Sequence, residues 1–152
     1  MRDVGGVVAT NYGTVENCII SSGSITSNPS LDWDLSGPNL CGGIVGDNKG
    51  TVSNCRYDGS IIGSTCGGIV GANSGTVSNC HKLIGSVSNG GVVISTGGVI
   101  GFIYSSNGIN YDNVIVSGNT FSTSATGQQW GIGEDRRIST PAPSNDGTTP
   151  LP

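Results

Sequence analysis

Ionisable side chains are scarce in this chain: Asp, Glu, Lys and Arg make up 11% of its 152 residues, with two Glu and two Lys in all, against roughly 25% in an ordinary globular domain. Methionine and histidine occur once each. Without Glu, Lys and Met the usual helix surface cannot be built, and no helix is expected anywhere. A net charge of −4 with six scattered Lys and Arg leaves no basic patch to neutralise phosphates, which excludes nucleic acid as a partner. Apolar runs such as Val92 to Ile94 and Val99 to Ile100 fall far below the ~18 residues of a membrane helix, so no membrane span is expected. Met1-Arg2-Asp3-Val4 lacks the apolar stretch that directs export, and the chain reads as a fragment or a processed form.

What is present is Gly, at 27 residues, with Ser, Thr, Asn, Val and Ile, a vocabulary of short strands and tight turns. It is also repetitive. Cys41-Gly42-Gly43-Ile44-Val45-Gly46 through Gly50-Thr51-Val52-Ser53-Asn54-Cys55 recurs almost letter for letter from Cys66 to Cys80, 25 residues on. An earlier copy runs from Gly5-Gly6-Val7-Val8 to Gly13-Thr14-Val15-Glu16-Asn17-Cys18, displaced by 37 residues, one period plus an insertion. A decayed fourth copy starts at Gly97-Gly98-Val99-Ile100-Gly101, with Asn107-Gly108 in place of Asn-x-Gly and Asn113-Val114 in place of Asn-Cys.

Each copy holds about three brief apolar pieces, too short to bury a face alone. Stacking equivalent strands in parallel register builds a continuous core, so the expected fold is all-β: a parallel β-solenoid, a β-helix of triangular section with about four coils. The coils are placed near 4–26, 41–65, 66–90 and 97–121, with an insertion at 27–39. This unit spans 1–126, and 127–152 forms a C-terminal cap and a Pro-rich extended tail. Val15, Val52 and Val77 are expected to form one inward ladder and Cys18, Cys55 and Cys80 another, the thiols acting as small hydrophobes. Asn17, Asn54 and Asn79 stand between them at a corner, where stacked amides can hydrogen-bond from coil to coil. Cys41 and Cys66 lie one coil apart, ~4.8 Å, within the ~4.4–6.8 Å Cα range of a disulfide, so a staple between them is geometrically open, as is a pair of stacked thiols.

The run Gly-Gly-Ile-Val-Gly with Asn-x-Gly-Thr-Val-Ser-Asn-Cys, over about Val4 to Thr120, resembles the GLUG repeat of bacterial surface proteins, including haemagglutinin-like adhesins and some immunoglobulin A peptidases. The resemblance implies a solenoid displayed outside the cell or at its surface and leaves activity open.

No catalytic residue is assigned, and no metal site or cofactor. His81 has no second imidazole beside it, and as strand neighbours Cys80 and His81 point to opposite faces. Asp47, Lys49, Arg56 and Asp58 look isolated around polar turns, so no catalytic carboxylate pair emerges. The insertion carries Asp32-Trp33-Asp34, a candidate for stacking a sugar or holding a cation, though the same residues also suit a satellite cluster against the first coil. The expected function is therefore an extracellular structural or adhesive module, a rigid stalk or binding scaffold and not an enzyme. Its partner would be a glycan or protein of a host or neighbouring cell surface. The alternatives are a filament subunit that stacks head to tail with copies of itself and an accessory repeat of a larger surface peptidase.

Overall fold

The computed structural model describes residues 3–27, 39–90 and 95–152. The chain makes repeated circuits through the same set of sheets. The first lays down β1 (Asp3–Gly5), β2 (Val8–Asn11), β3 (Thr14–Glu16), β4 (Ile19–Ile20) and β5 (Ser24–Thr26). The second follows with β6 (Leu40–Gly42), β7 (Val45–Asn48), β8 (Thr51–Ser53), β9 (Arg56–Tyr57) and β10 (Ser60–Gly63). The third comprises β11 (Thr65–Gly67), β12 (Val70–Asn73), β13 (Thr76–Ser78), β14 (His81–Lys82) and β15 (Val87–Asn89). The fourth has β16 (Ser95–Gly97), β17 (Ile100–Ile103), β18 (Ile115–Ser117) and β19 (Asn119–Ser122), and then a one-turn helix, α1 (Thr123–Thr126). The chain closes with β20 (Ile132–Asp135), β21 (Ala142–Ser144) and β22 (Thr148–Leu151).

Five sheets result, ordered β1-β6-β11-β16, β2-β7-β12-β17-β20-β21, β3-β8-β13-β18, β4-β9-β14-β19-β22 and β5-β10-β15. Every pairing is parallel except β20 with β21. The described residues are thus all-β but for α1. Each of the first three circuits has five short strands, and the fourth has four among the described residues, where about three were expected, because the Gly-Gly turn and the Asn corner cut the apolar pieces into strands of two to four residues.

Register places like over like. Val15, Val52, Val77 and Val116 are successive partners, each buried, while the flanking Thr51 and Ser53 stay half-buried on the other face, the period of two that a strand dictates. The core runs between the sheets from Val15 through Ile44, Ile69 and Val99 to Ile132.

Three expectations change at the C-terminal side. Asn113 does not continue the Asn-Cys pair: Ser78 is paired with Ser117, which puts Gly118-Asn119 over Asn79-Cys80. The ending expected to be extended is paired instead, β20 lying parallel to β17 and β22 parallel to β19. Within it Ile132 is fully buried, whereas Trp130 is 46% exposed. Helix α1 was not expected, and its cause is local capping, not propensity: Ser122 Oγ accepts the Ala125 N–H at 3.2 Å, and Gly127 closes the turn with φ of 72°. Among the described residues no helix is long and apolar enough to cross a membrane.

Candidate functional site

The polar residues that the sequence repeats converge on the joints between circuits. Asn11 Nδ2 donates to Asn48 Oδ1 at 2.8 Å, and Asn48 Nδ2 donates to Asn73 Oδ1 at 2.8 Å. Each amide also closes its own turn: Asn48 Oδ1 accepts the Gly50 N–H at 3.2 Å, while Nδ2 reaches Gly50 O at 3.2 Å and Thr76 O of the next circuit at 3.1 Å. The amide ladder is therefore built by Asn11, Asn48 and Asn73, not by Asn17, Asn54 and Asn79 as expected. It ends where Ile103 takes the fourth place. Replacing fully buried Asn48 with alanine strands the acceptors Asn73 Oδ1 and Thr76 O of the next circuit and takes the acceptor from Asn11 Nδ2 and the Gly50 N–H. We expect a loss of about 2 kcal/mol, read as a lowered urea midpoint.

Asn17, Asn54 and Asn79 have φ of 57°, 52° and 51° and exposed side chains. Their task is the corner itself. The chain must turn left-handed between the β3-type and β4-type strands, and Asn is the side chain that tolerates this region best. Gly118 and Gly147, with φ of 65° and 74°, occupy the same place later in the stack. Asn54→Ala is expected to cost about 1 kcal/mol and Asn54→Gly to be neutral or mildly stabilising, compared by thermal melting.

The residue after each corner turns inward. Cys55 and Cys80 are fully buried and Cys18 is half-buried. The Cys55 thiol donates to Ser53 O at 3.1 Å and the Cys80 thiol to Ser78 O at 3.2 Å. The Cys80 N–H donates to Asn119 Oδ1 at 2.9 Å. The thiols thus donate to the carbonyl two residues back at each corner, and Asn119 succeeds them with an amide that also donates to Val77 O at 3.0 Å. A hydrogen bond from Cys80 pulls the Cys55 thiol down to about 6, and the same sharing with burial pushes Cys80 up. Cys41 and Cys66 face each other as partners of β6 and β11, both fully buried and both present as thiols.

Past the corner comes a column of large side chains: Ile20, Tyr57, Lys82 and Phe121. These cross the interior to lie on the second glycine of each Gly-Gly pair. A Cβ on Gly43 would stand 2.5 Å from the Tyr57 ring, and one on Gly68 2.6 Å from Lys82 Cγ. Lys82 is fully buried, and its ammonium donates to Gly59 O at 2.8 Å, to Gly85 O at 2.6 Å and to Ile84 O, 5.5 Å from the Tyr57 centroid. Desolvation pulls its pKa down to about 8. Its neighbour His81 is half-buried, with Nδ1 2.7 Å from Thr120 Oγ1.

One outward-facing constellation assembles across circuits. Lys49 Nζ lies 2.9 Å from Asp47 Oδ2, 3.3 Å from the Tyr12 hydroxyl and 4.9 Å from the Tyr12 centroid. Tyr104 Oη donates to Asp47 Oδ1 at 2.7 Å. Phe102 stacks with Tyr104 at 5.5 Å, and Arg136, ion-paired with Glu134 at 2.6 Å, covers Phe102 at 4.7 Å. The hydrogen bond that Lys49 donates to Asp47 raises the Lys49 pKa, and burial raises that of Tyr104. The expectation that Asp47, Lys49, Arg56 and Asp58 are isolated is corrected: Arg56 Nε is 2.8 Å from Asp58 Oδ2, and Asp47 is shared by Lys49 and Tyr104. The two ion pairs join residues two apart in the sequence, whereas Tyr104 comes from 57 residues beyond Asp47 and no local motif announced it. Asp32, Trp33 and Asp34 lie outside the described residues. Among the described residues no group of three His, Cys, Asp or Glu side chains is arranged to hold a metal ion.

The chain matches no protein-family model, and neither a curated protein nor a solved structure matches it.

Proposed function

We propose that the circuits are the coils of a parallel β-solenoid of the GLUG-repeat kind, and that the chain works as a rigid structural and adhesive module at a cell surface, without catalysis. The observation that carries this reading is the direction of the repeated polar groups. Asn48, Cys55 and Cys80 all spend their hydrogen bonds on backbone or side chains of their own or adjacent circuits, as does Lys82, which stands in the column once. Repetition here has built a joint, as a stalk under load requires, and not an outward array of reacting groups. In a stack whose units touch mainly their neighbours, stability grows as a sum over units and interfaces.

For the adhesive part, the face around Tyr12 and Lys49 offers what a surface glycan or an acidic protein patch requires: an exposed ring and a cation, the latter anchored by the buried Asp47 carboxylate. Tyr12 is 75% exposed. Glycan and matrix-protein arrays probed with the wild type and with Tyr12→Ala test it. Binding that falls at Tyr12→Ala supports the adhesive module, and full binding by the variant removes this face from it. Single-molecule pulling tests the stalk: high-force rupture in steps of roughly 9 nm, one 25-residue circuit, is expected, and smooth low-force extension would rule out a load-bearing role.

Head-to-tail filament assembly is the weaker reading. It requires continuing sheets at both ends, whereas β21 lies antiparallel along the outer edge of the six-stranded sheet and withdraws it from parallel extension. Electron microscopy of a concentration series separates the two readings.

A further inference from the structure

The five thiols differ in a property on which their chemistry depends, access. Cys41, Cys55, Cys66 and Cys80 are fully buried. Cys18 is half-buried, at the outer end of its column, and its thiol donates at 3.4 Å to Glu16 O in an exposed turn. Glu16 pairs with Ser53 and Ile19 with Arg56, so Cys18 stands directly over Cys55. Their Cα atoms are one strand spacing apart, ~4.8 Å, inside the ~4.4–6.8 Å that a disulfide spans. Cys55 Sγ lies 3.8 Å from Val15 O, to which it donates, so the sulfur is aimed at the first circuit.

We propose that Cys18 and Cys55 form a site of reversible oxidation by small-molecule disulfides, with Cys18 the entry thiol and Cys55 the resolving thiol, closing a covalent staple between the first two circuits. Cys18 loses its proton to solvent and its thiolate attacks one sulfur of the oxidant RSSR. The oxidant's S–S bond breaks, and RS⁻ leaves and is protonated to RSH. The Cys55 thiolate then attacks Cys18 Sγ of the mixed disulfide and expels the second RS⁻, which also becomes RSH. Two protein thiols are oxidised to one disulfide and one RSSR is reduced to two RSH. Burial raises the Cys18 pKa, so entry is slow. The hydrogen bond from Cys80 favours thiolate at Cys55, so resolution is fast. Cys41 and Cys66 have the same one-strand spacing but no entry thiol, and they stay reduced while the chain is folded.

The test is incubation of fully reduced, folded protein with glutathione disulfide, followed by alkylation in denaturant and peptide mapping with fragmentation. A Cys18–Cys55 cross-link is expected, with Cys41, Cys66 and Cys80 recovered as alkylated thiols. Cys18→Ala, at a half-buried position, should slow thiol loss at least ~100-fold, since oxidation then awaits opening of the fold. Cys55→Ala should accumulate glutathione on Cys18. Stable glutathionylation of Cys18 in the wild type, a first cross-link at Cys41–Cys66, or unchanged oxidation of Cys18→Ala would each overturn the proposal. Should Cys55→Ala not fold, the wild-type map and Cys18→Ala decide it.

Discussion

Gly42→Ala is expected to abolish cooperative folding, whereas Gly13→Ala, another glycine of the repeat, leaves stability unchanged within ~0.5 kcal/mol. A Cβ on Gly42 would stand 1.9 Å from Val45 O in the same turn, 2.7 Å from Gly71 N and 2.8 Å from Ile69 O in the next circuit. All three are backbone atoms held by two sheets, and none can swing aside as a side chain would. The four Gly-Gly turns repeat the collision, with 2.0 Å at Gly5, 1.9 Å at Gly67 and 2.0 Å at Gly97 to the carbonyl three residues on. A chain of this size is stable by about 5–15 kcal/mol, and a rigid overlap of this kind costs more than the ~4–5 kcal/mol that marks the extreme of single substitutions. At Gly13 a Cβ meets nothing nearer than Asn11 Oδ1 at 4.0 Å, although Gly50, its equivalent one circuit later, would meet Gly13 O at 2.1 Å. Far-UV circular dichroism through a urea titration reads both variants. A cooperative Gly42→Ala transition near the wild-type midpoint would mean that the turn is looser than the structure has it.

Lys82→Ala is expected to cost on the order of 3–5 kcal/mol, because it opens the interior between Tyr57 and Phe121 and leaves the carbonyls of Gly59, Ile84 and Gly85 without their donor. Lys82→Met keeps the stem on Gly68 and loses only the ammonium, so about 2 kcal/mol is expected for it. The pH dependence separates charge from packing. The lysine pKa is 10.5 when exposed and about 8 in the fold. Below pH 8 both states hold the proton. Between pH 8 and 10.5 the unfolded chain binds it and the native chain does not, so this group makes stability rise with pH across the window, by up to about 3 kcal/mol. The three carbonyls favour the ammonium and moderate the rise. The wild type minus Lys82→Met difference in urea midpoint, followed from pH 7 to 10.5, should therefore grow with pH. A difference that shrinks would mean that the carbonyl cage outweighs desolvation.

How far each feature could be read from the sequence depended on whether its cause was local. The displacement of 25 residues between Cys41 and Cys66 requires equivalent residues to recur, and the parallel pairing of β6 with β11 makes that recurrence spatial. The Val15, Val52, Val77 column followed from periodicity alone. The choice between two Asn columns did not. Both recur with the same period, and only the backbone path shows that Asn48 faces the interior while Asn54 takes φ of 52°. Lys82 was hidden for the same reason. Composition places lysine outside, and nothing within Cys80-His81-Lys82 signals that this position shares a column with Tyr57 and Phe121.

The sequence by itself determined an all-β chain of repeated short strands, because a period of glycine, asparagine and β-branched residues dictates turns and parallel recurrence whatever surrounds them. Tertiary structure alone decided which polar groups became internal joints, which thiol kept access to solvent and which hydroxyl reached Asp47 from another circuit. These depend on the rotation of each strand about its axis and on what the next circuit lays over it, quantities that no single repeat contains.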